Sequence, residues 1–140
     1  MVRISNLELL QLLKANSRTP FIRIAQRMGV SETAVRKKVR KLEETGVIRN
    51  YTIETDPRKI GYDVNALIGI DTTPEHYISV MEKLKGMDQV MSLHSSTGDH
   101  MLMMECWFRK SSDLTDFIRL LEKIEGITKI CPAIILDRIK

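Results

Sequence analysis

The sequence predicts an α+β protein with an N-terminal (winged) helix-turn-helix, a strand-bearing hinge and a ferredoxin-like βαββαβ domain. Two observations predict this fold. Near residue 63 the spacing of apolar residues changes from the three-to-four-residue period of helices to the alternation typical of strands. Residues 1–62 contain 13 Lys and Arg against 6 Asp and Glu, whereas residues 63–140 contain 9 against 12. The predicted boundaries are 1–50, 51–62 and 63–140.

The charge asymmetry between the two parts indicates a nucleic-acid-binding unit joined to a unit with another task. The 140 residues carry a formal net charge of +4, and 43% of them are hydrophobic. That apolar content supports packed cores but leaves little surplus for two independent ones. Small units bury a limited fraction of their surface, so we expect the chain to form oligomers.

The N-terminal segment and the cysteines indicate a cytoplasmic protein. Glu8, Gln11 and Lys14 interrupt the apolar residues near the N-terminus, and no apolar run reaches the length of about 18 residues that a membrane-spanning helix needs. Cys106 and Cys131 lack CxxC spacing and lie in apolar runs. Two buried free thiols are therefore expected, and a disulfide is the less favoured alternative.

The first two helices follow from their start and stop signals. Ser5 or Asn6 can cap a first helix, in which leucines recur at three- to four-residue spacing. Thr19 offers a hydroxyl to cap a second helix over 20–28. Pro20 would be its first residue, where the missing N–H of proline costs nothing because that position has no hydrogen-bond partner within the helix. Gly29 ends this helix and turns the chain.

The third helix, within residues 31–48, has one apolar face and one basic face. Ser31 caps it, and Val35, Val39 and Leu42 recur along one side. Five of the six residues from 36 to 41 are basic: Arg36, Lys37, Lys38, Arg40 and Lys41. A short helix, a turn with glycine and a basic helix form the helix-turn-helix pattern, whose basic helix enters the major groove of DNA. The alternative is a three-helix bundle with a charged outer face.

The N-terminal part of this helix supplies the candidates for base recognition. Ser31, Glu32 and Thr33 lie at the end that enters the groove in this motif, and Arg36 and Lys37 follow Thr33 on the same side. Thr33, Arg36 and Lys37 are therefore the candidates for base edges, since arginine can bond guanine O6 and N7 together.

The later basic residues of the helix are better placed for the DNA backbone. Arg40 and Lys41 are candidates for phosphate contacts. Lys38 falls within the apolar side, so its stem is expected to pack there while its ammonium reaches the edge. Whether that edge meets DNA or a carboxylate stays open.

After this helix an alternating run suits a strand in the hinge. The run extends from Val47 to Ile53, and the turn-rich segment 56–59 follows it. In a dimer the strand could pair with the same segment of a second copy.

The second half predicts a split mixed sheet. Four strands are expected, over residues 64–71, 89–96, 101–108 and 127–139. Two helices separate them in the order β-α-β-β-α-β, which is the ferredoxin-like unit. Pro132 removes one donor from the ladder of the last strand, which suits an edge position or a bulge.

The first of these helices begins at Pro74, and its apolar residues Ile78, Met81 and Leu84 recur at helical spacing before Gly86. The second is capped by Ser111 or Ser112 and closed by a glycine at position 126. Its apolar residues are Leu114, Phe117, Leu120, Leu121 and Ile124. Two helices cover one face of the sheet, so we expect a second copy of the chain to cover the other.

Across essentially the whole chain, short motifs occur in an order and spacing that resemble one known family. They are Ser31-x-Thr33-x-Val35 with Val39 and Leu42-Glu43, then Gly46-Val47-Ile48 and Tyr51, Thr97-Gly98-Asp99-His100, Leu120-Leu121 and Gly126-Ile127. With them the chain resembles the Lrp/AsnC family, the feast/famine transcription regulators of bacteria and archaea. The resemblance implies a helix-turn-helix joined to a βαββαβ effector and oligomerisation domain. It also implies dimers that commonly assemble into octamers and that often bind amino acids between dimers.

The resemblance further implies an effector site around the Thr-Gly-Asp turn. The candidate residues are Tyr77, Ser95, Ser96, Thr97, Gly98, Asp99, His100 and Met101. Amides at a glycine turn can hold a carboxylate, and acidic oxygens can take an ammonium group. The alternative is that Gly98 and Asp99 only form a tight hairpin. Family members often carry an aspartate at the place of Met101, so here the ammonium contact would come from Asp99 or elsewhere.

The sequence thus predicts a non-enzymatic, sequence-specific transcriptional regulator whose assembly or operator binding responds to an amino acid or related metabolite. Its expected partners are double-stranded DNA with a pseudo-palindromic operator, an amino acid, and copies of itself in a homodimer that assembles to an octamer, with no membrane, metal or cofactor. No phosphate-binding loop or nucleophile elbow occurs. One alternative, a stand-alone amino-acid-binding module, leaves the basic helix unexplained. The other is a metal-sensing repressor that uses His76, His94 and His100, which lack ligand spacing.

Overall fold

The computed structural model describes residues 3–140, and the chain divides into two compact units between Glu54 and Thr55. Met1 and Val2, the start of the N-terminal segment considered above, lie outside the described residues. In the described part of the chain, no helix has both the length and the apolar character that membrane crossing requires.

The first unit contains three helices whose caps follow from local chemistry. They are α1 (Asn6–Ala15), α2 (Phe21–Met28) and α3 (Glu32–Glu44). The Ser5 hydroxyl accepts a hydrogen bond from the amide of Glu8 at 3.3 Å, and the Ser31 hydroxyl accepts one from the amide of Ala34 at 3.1 Å. Both satisfy an amide that has no partner inside its helix. The predicted caps at these two serines are confirmed.

The predicted cap at Thr19 is wrong. Helix α2 begins one residue later than expected, at Phe21, and Pro20 occupies the N-cap position without a side-chain hydrogen bond. The Thr19 hydroxyl instead donates to the carbonyl of Asn16 at 2.7 Å, which closes the preceding turn. The end of α2 is as predicted, because Gly29 adopts a left-handed conformation with φ of 66°.

The three helices bury one small apolar core. Its buried members are Leu9, Leu13, Ile24, Ala25, Val35, Val39 and Leu42. Full burial of one such leucine or isoleucine side chain stabilises the fold by about 1.5–3 kcal/mol. The predicted apolar side of α3, formed by Val35, Val39 and Leu42, is confirmed. One side of α3 is therefore fixed against the core, and its other side is left to solvent.

No strand forms in the hinge of the single chain, which corrects the prediction for Val47–Ile53, and residues 3–54 contain no β wing. A strand needs a neighbouring strand to accept and donate its ladder hydrogen bonds, and none lies beside this segment in the first unit. The segment is held to α3 instead. The Ile48 amide donates to the carbonyl of Leu42 at 2.9 Å, and the Tyr51 hydroxyl donates to Glu43 Oε1 at 2.7 Å.

The bond to Glu43 has an electrostatic consequence for Tyr51. Burial of the phenol, the hydrogen bond to the Glu43 carboxylate and the negative charge of that group together raise the pKa of Tyr51 to about 12. Tyr51 therefore remains a neutral hydrogen-bond donor throughout the physiological pH range. A short 3₁₀ turn, Pro57–Ile60, follows in the second unit, where turn chemistry was predicted.

The second unit is an antiparallel sheet with two helices on one face. Its elements are β1 (Val64–Thr72), α4 (Tyr77–Lys85), β2 (Val90–Ser95), β3 (Leu102–Phe108), α5 (Ser111–Glu122) and β4 (Ile127–Ile134). The strand order is β2-β3-β1-β4, and every neighbouring pair is antiparallel. The predicted ferredoxin-like βαββαβ order is confirmed, but the sheet is wholly antiparallel and not mixed as predicted.

The register fixes which side chains face the helices. Residues 64, 66, 68 and 70 of β1 lie opposite residues 108, 106, 104 and 102 of β3, and all eight are buried. Alternation then places the intervening residues on the opposite face of the sheet. These include Asn65, Leu67, Gly69, Asp71, Met103, Glu105 and Trp107.

Helix α4 buries most of the predicted stripe, because Leu84 is in the core and Met81 packs against it, but the prediction is wrong for Ile78. Ile78 is 62% exposed, whereas Val80 and Leu84 are fully buried and Tyr77 and Met81 pack against the same core. The sequence contains two overlapping helical stripes. A short 3₁₀ turn, Pro74–His76, precedes the helix.

Helix α5 also departs from its prediction at two points. Leu114, Phe117 and Leu121 are buried as expected, but Leu120 is 49% exposed. The helix has Lys110 at its N-cap without a side-chain hydrogen bond, so the predicted serine cap does not form. The two serines lie inside the first helical turn, too late to cap it.

Strand β4 is an edge strand and ends at Ile134, five residues earlier than predicted. Pro132 lies in it opposite Ile68 and is tolerated because the outer side of an edge strand needs no donor. Beyond the strand, the Ile135 amide donates to the Asn65 carbonyl at 2.8 Å. The Arg58 guanidinium donates to the carbonyls of Ile135 and Leu136, so a side-chain donor replaces the strand ladder there.

Both cysteines are free, as predicted. Cys106 is fully buried on β3, and burial together with the nearby charge of Glu105 raises the pKa of its thiol to about 12. Cys131 on β4 is half-buried, so the expectation of two buried thiols holds for one of them.

Candidate nucleic-acid interface and ligand site

Helix α3 presents a basic surface because its other side is fixed in the core. Val35, Val39 and Leu42 are buried, and the turn 29–31 joins the helix to α2. The exposed side carries Thr33, Arg36, Lys37, Arg40 and Lys41. The arrangement of helix, short turn and basic helix is that of a helix-turn-helix.

The two arginines of this surface are already paired with carboxylates one helical turn away. Arg36 Nη2 lies 2.6 Å from Glu32 Oε1, and its guanidinium carbon lies 5.3 Å from the centre of the Phe21 ring. Arg40 Nε lies 3.3 Å from Glu44 Oε1. The i,i+4 spacing of both pairs supports the helix. The sequence placed Glu32 at the groove-entering end of the helix, but neither carboxylate was predicted to pair with an arginine or to contact DNA.

The remaining basic residues divide by exposure. Among the ion pairs within residues 3–140, none includes Lys37 or Lys41, and both side chains are exposed. Lys38 is half-buried, as its position on the apolar side predicts. The hydroxyl of Ser31 already accepts the capping bond described above. Contact of these residues with DNA stays a prediction.

In the second unit, the turn between β2 and β3 is closed by two hydrogen bonds. The Ser96 amide donates to the carbonyl of Met101 at 3.0 Å, and the Ser96 hydroxyl donates to the carbonyl of His100 at 2.7 Å. Gly98 has a φ of 99°, a conformation that side chains disfavour. The turn is therefore a defined loop, and Thr97 and Asp99 are exposed at its tip.

Asp71 at the end of β1 joins the base of this turn. Its Oδ2 lies 3.1 Å from His100 Nδ1, and its Oδ1 accepts a hydrogen bond from the Met101 amide at 3.0 Å. Burial raises the pKa of Asp71, but the hydrogen bonds from His100 and Met101 and the charges of His100 and Lys129 outweigh it and lower that pKa. An ionised carboxylate thus stands beside the position where family members often carry an aspartate.

Gly69 makes room for this arrangement. A Cβ atom added at Gly69 would overlap the imidazole ring of His100. The ring therefore lies against the backbone of β1 on the outer face of the sheet, next to Asp71. Only glycine leaves this space without displacing the ring.

The structure brings some of the predicted ligand residues together and places Asp71 and Gly69 beside them. Ser96, His100 and Met101 are linked by the bonds just described. Ser95 ends β2 beside them, and Tyr77 packs against the core where α4 begins.

Asp71 and Gly69 were missed by the sequence reasoning. A signal was present, because the split topology places the end of the first strand beside the start of the third, and alternation directs Asp71 to the outer face.

Two of the three histidines make local polar contacts. His76 Nδ1 lies 2.7 Å from the Thr73 hydroxyl, and its Nε2 lies 3.7 Å from Glu125 Oε1. His100 pairs with Asp71, and His94 is exposed on β2. In the part of the chain that the structure describes, no three His, Cys, Asp or Glu side chains cluster in a way that could hold a metal ion.

Two family models match the chain and together cover most of it. Residues 6–63 match a helix-turn-helix domain, and residues 65–140 match the Lrp/AsnC ligand binding domain. A curated relative, the HTH-type transcriptional regulator LrpA of Pyrococcus horikoshii, is 49% identical over 133 residues, which is 94% of each chain.

Solved structures show the same fold. The structure of E. coli AsnC has a TM-score of 0.78 and 28% identity, and the match covers 99% of this chain and 96% of that one. A feast or famine regulatory protein from M. tuberculosis, solved in complex with L-methionine, has a TM-score of 0.82 and 24% identity, and the match covers 96% of this chain and 92% of that one.

Proposed function

This chain belongs to the Lrp/AsnC family of transcriptional regulators, and we propose that its operator occupancy responds to an amino acid or a related metabolite. The observation that carries the DNA-binding part is the basic face of α3, which is exposed because the opposite face is fixed in a core. In this proposal residues 1–50 form the DNA-binding domain and residues 63–140 form the ligand-binding domain. Residues 51–62 link the two. We place its action in the cytoplasm.

On DNA, two copies of α3 lie in successive major grooves and read a pseudo-palindrome about one helical turn apart. Thr33, Arg36 and Lys37 face base edges, where arginine can form two hydrogen bonds to guanine. Arg40 and Lys41 contact phosphates and give the affinity its salt dependence. This division of labour follows from their order along the helix.

Self-association is supported by the outer face of the sheet. Leu67 is 39% exposed there although it lies at the centre of a strand, and Met103 and Trp107 beside it are half-buried. A second copy that covers this face would bury these apolar side chains, and such dimers would assemble further toward an octamer.

For the ligand, the turn 97–101 and Asp71 offer complementary groups. Amides at the glycine turn can bind a carboxylate, and Asp71 supplies an anionic oxygen toward an ammonium group. The solved M. tuberculosis relative contains L-methionine, which makes a free amino acid the first ligand to test. A ligand that binds one assembly state more tightly shifts operator occupancy by that difference in affinity.

The test is a fluorescence-anisotropy titration of the full chain. DNA from upstream of its own gene is compared with a shuffled DNA at two salt concentrations, with and without amino acids. We expect tighter binding to the upstream DNA that weakens as salt increases, and a shift of the curve with one of the amino acids. Absence of binding at low salt would overturn the regulatory proposal, and a curve that no amino acid shifts would remove its ligand part.

A further inference from the structure

The arginine best placed for base recognition is held by two neighbours before any DNA is present. Glu32 contacts the Arg36 guanidinium from the preceding turn of α3 at 2.6 Å. Phe21, the first residue of α2, lies beneath the same guanidinium, with 5.3 Å from the guanidinium carbon to the ring centre. Two contacts from two helices define one orientation of this side chain.

Both contacts leave part of the guanidinium free for a base. An arginine side chain has five N–H donors, and the bond to Glu32 uses one of them at Nη2. The Arg36 side chain is 64% exposed and that of Glu32 is 42% exposed, so the pair lies at the surface. An arginine whose orientation is already set loses less side-chain entropy when it binds a base.

The carboxylate of Glu32 also acts on DNA that offers no matching base. A negative charge on the groove-facing side of the helix repels phosphates, and its pairing with Arg36 offsets a positive charge that would otherwise attract any backbone. Binding to unrelated sequences is thereby weakened. Recognition of guanine by the remaining N–H groups is retained.

We propose that Glu32 is a specificity-determining residue of this regulator, which acts by orienting Arg36, and that Phe21 is a second positioning residue for the same guanidinium. The proposal rests on the DNA-binding function proposed above. It predicts opposite effects for Glu32 and for the basic residues: removing the charge of Glu32 strengthens binding to unrelated DNA, whereas removing a basic charge weakens it.

The chain provides a matched control on the same helix. Arg40 and Glu44 form an i,i+4 pair of the same type, but at 3.3 Å and with side chains that are 80% and 67% exposed. The second pair lies near the end of α3, away from the residues proposed to face bases. Glu44→Gln removes the same charge from the same helix without affecting Arg36.

The experiment measures full-length wild type, Glu32→Gln and Glu44→Gln against upstream and shuffled DNA at one salt concentration. For Glu32→Gln we expect tighter binding to shuffled DNA and a fall of about tenfold in the ratio of the two affinities, which is within the range that one bidentate base contact supplies. For Glu44→Gln the ratio stays within about twofold, because its arginine contacts phosphate. Phe21→Leu, which keeps an apolar side chain but removes the ring face, lowers the ratio in the same direction.

Repeating Glu32→Gln in an Arg36→Ala background distinguishes positioning from a general effect on the helix. If Glu32 acts through Arg36, its removal no longer changes the ratio there. An equal fall in both backgrounds, or equal effects of Glu32→Gln and Glu44→Gln, would overturn the inference while the regulator function stands. A wild-type protein that binds both DNAs equally would overturn both proposals.

Discussion

At the scale of single residues, Asp71 shows how one side chain can join a turn that lies elsewhere in the sequence. Its two oxygens bind His100 and the amide of Met101, which are 29 and 30 residues away in the chain. Sequence reasoning identified His100 and Met101 through their turn motif. It did not identify Asp71, because that contact depends on the register between two strands and no local pattern encodes it.

Replacing Asp71 by asparagine is expected to lower the stability of the fold at neutral pH but not in acid. The pKa of Asp71 is lowered from its ordinary value of 3.8 in the folded state, so its charge stabilises the fold above that pH and the contribution is lost as pH falls further. Thermal unfolding of wild type and Asp71→Asn should therefore show a gap in midpoint at pH 7 that narrows below about pH 4. Asp88→Asn, at an exposed aspartate, serves as control and should show no gap. A gap that is equal at all pH values would contradict this electrostatic account.

At the scale of secondary-structure elements, the start of a helix was predicted correctly where a serine hydroxyl accepts a hydrogen bond from the amide three residues later. Ser5 and Ser31 illustrate this, since both cap as expected. Predictions failed where two local solutions compete. Thr19 could cap a helix or close the preceding turn, and it does the latter. Helix α4 has two apolar stripes that share Met81 and Leu84, and the buried one contains Val80 rather than Ile78.

Two substitutions within α4 test which of its predicted apolar residues are buried. Leu84 is fully buried and Ile78 is 62% exposed. Leu84→Ala should lower the free energy of unfolding by about 2–5 kcal/mol, because it leaves a cavity in the core. Ile78→Ala should change it by less than about 0.5 kcal/mol. Urea unfolding at a fixed protein concentration measures both, and equal losses would show that Ile78 is buried in the folded protein.

At the scale of the whole molecule, the two units were predictable because each has its own periodicity and its own charge. The order of the helices and strands followed from glycine, proline and apolar spacing. The hinge strand was the exception. The alternation of Val47–Ile53 was read correctly as a pattern, but a strand forms only beside a partner, and the single chain provides none there.

The exposed sheet face leads to a prediction about assembly. Leu67→Glu introduces a charge at the centre of the face that we propose is covered by a second copy. Light scattering coupled to size-exclusion chromatography should give the mass of a dimer or larger species for wild type and of a monomer for this variant. Leu120→Glu makes the same change at an exposed leucine of α5 and should leave the dimer intact. Retention of the dimer by Leu67→Glu would place the interface elsewhere.

The separation between Asp71 and its partners also has a consequence for the order in which activities arise as the protein folds. The contacts that we propose to orient Arg36 lie within 15 residues of it in the chain, whereas the proposed ligand turn is completed only when β1 and β3 have paired across about 30 residues. Contacts between distant parts of a chain generally form later than local ones. A newly made chain would therefore acquire the helix that reads DNA before it acquires the means to be regulated.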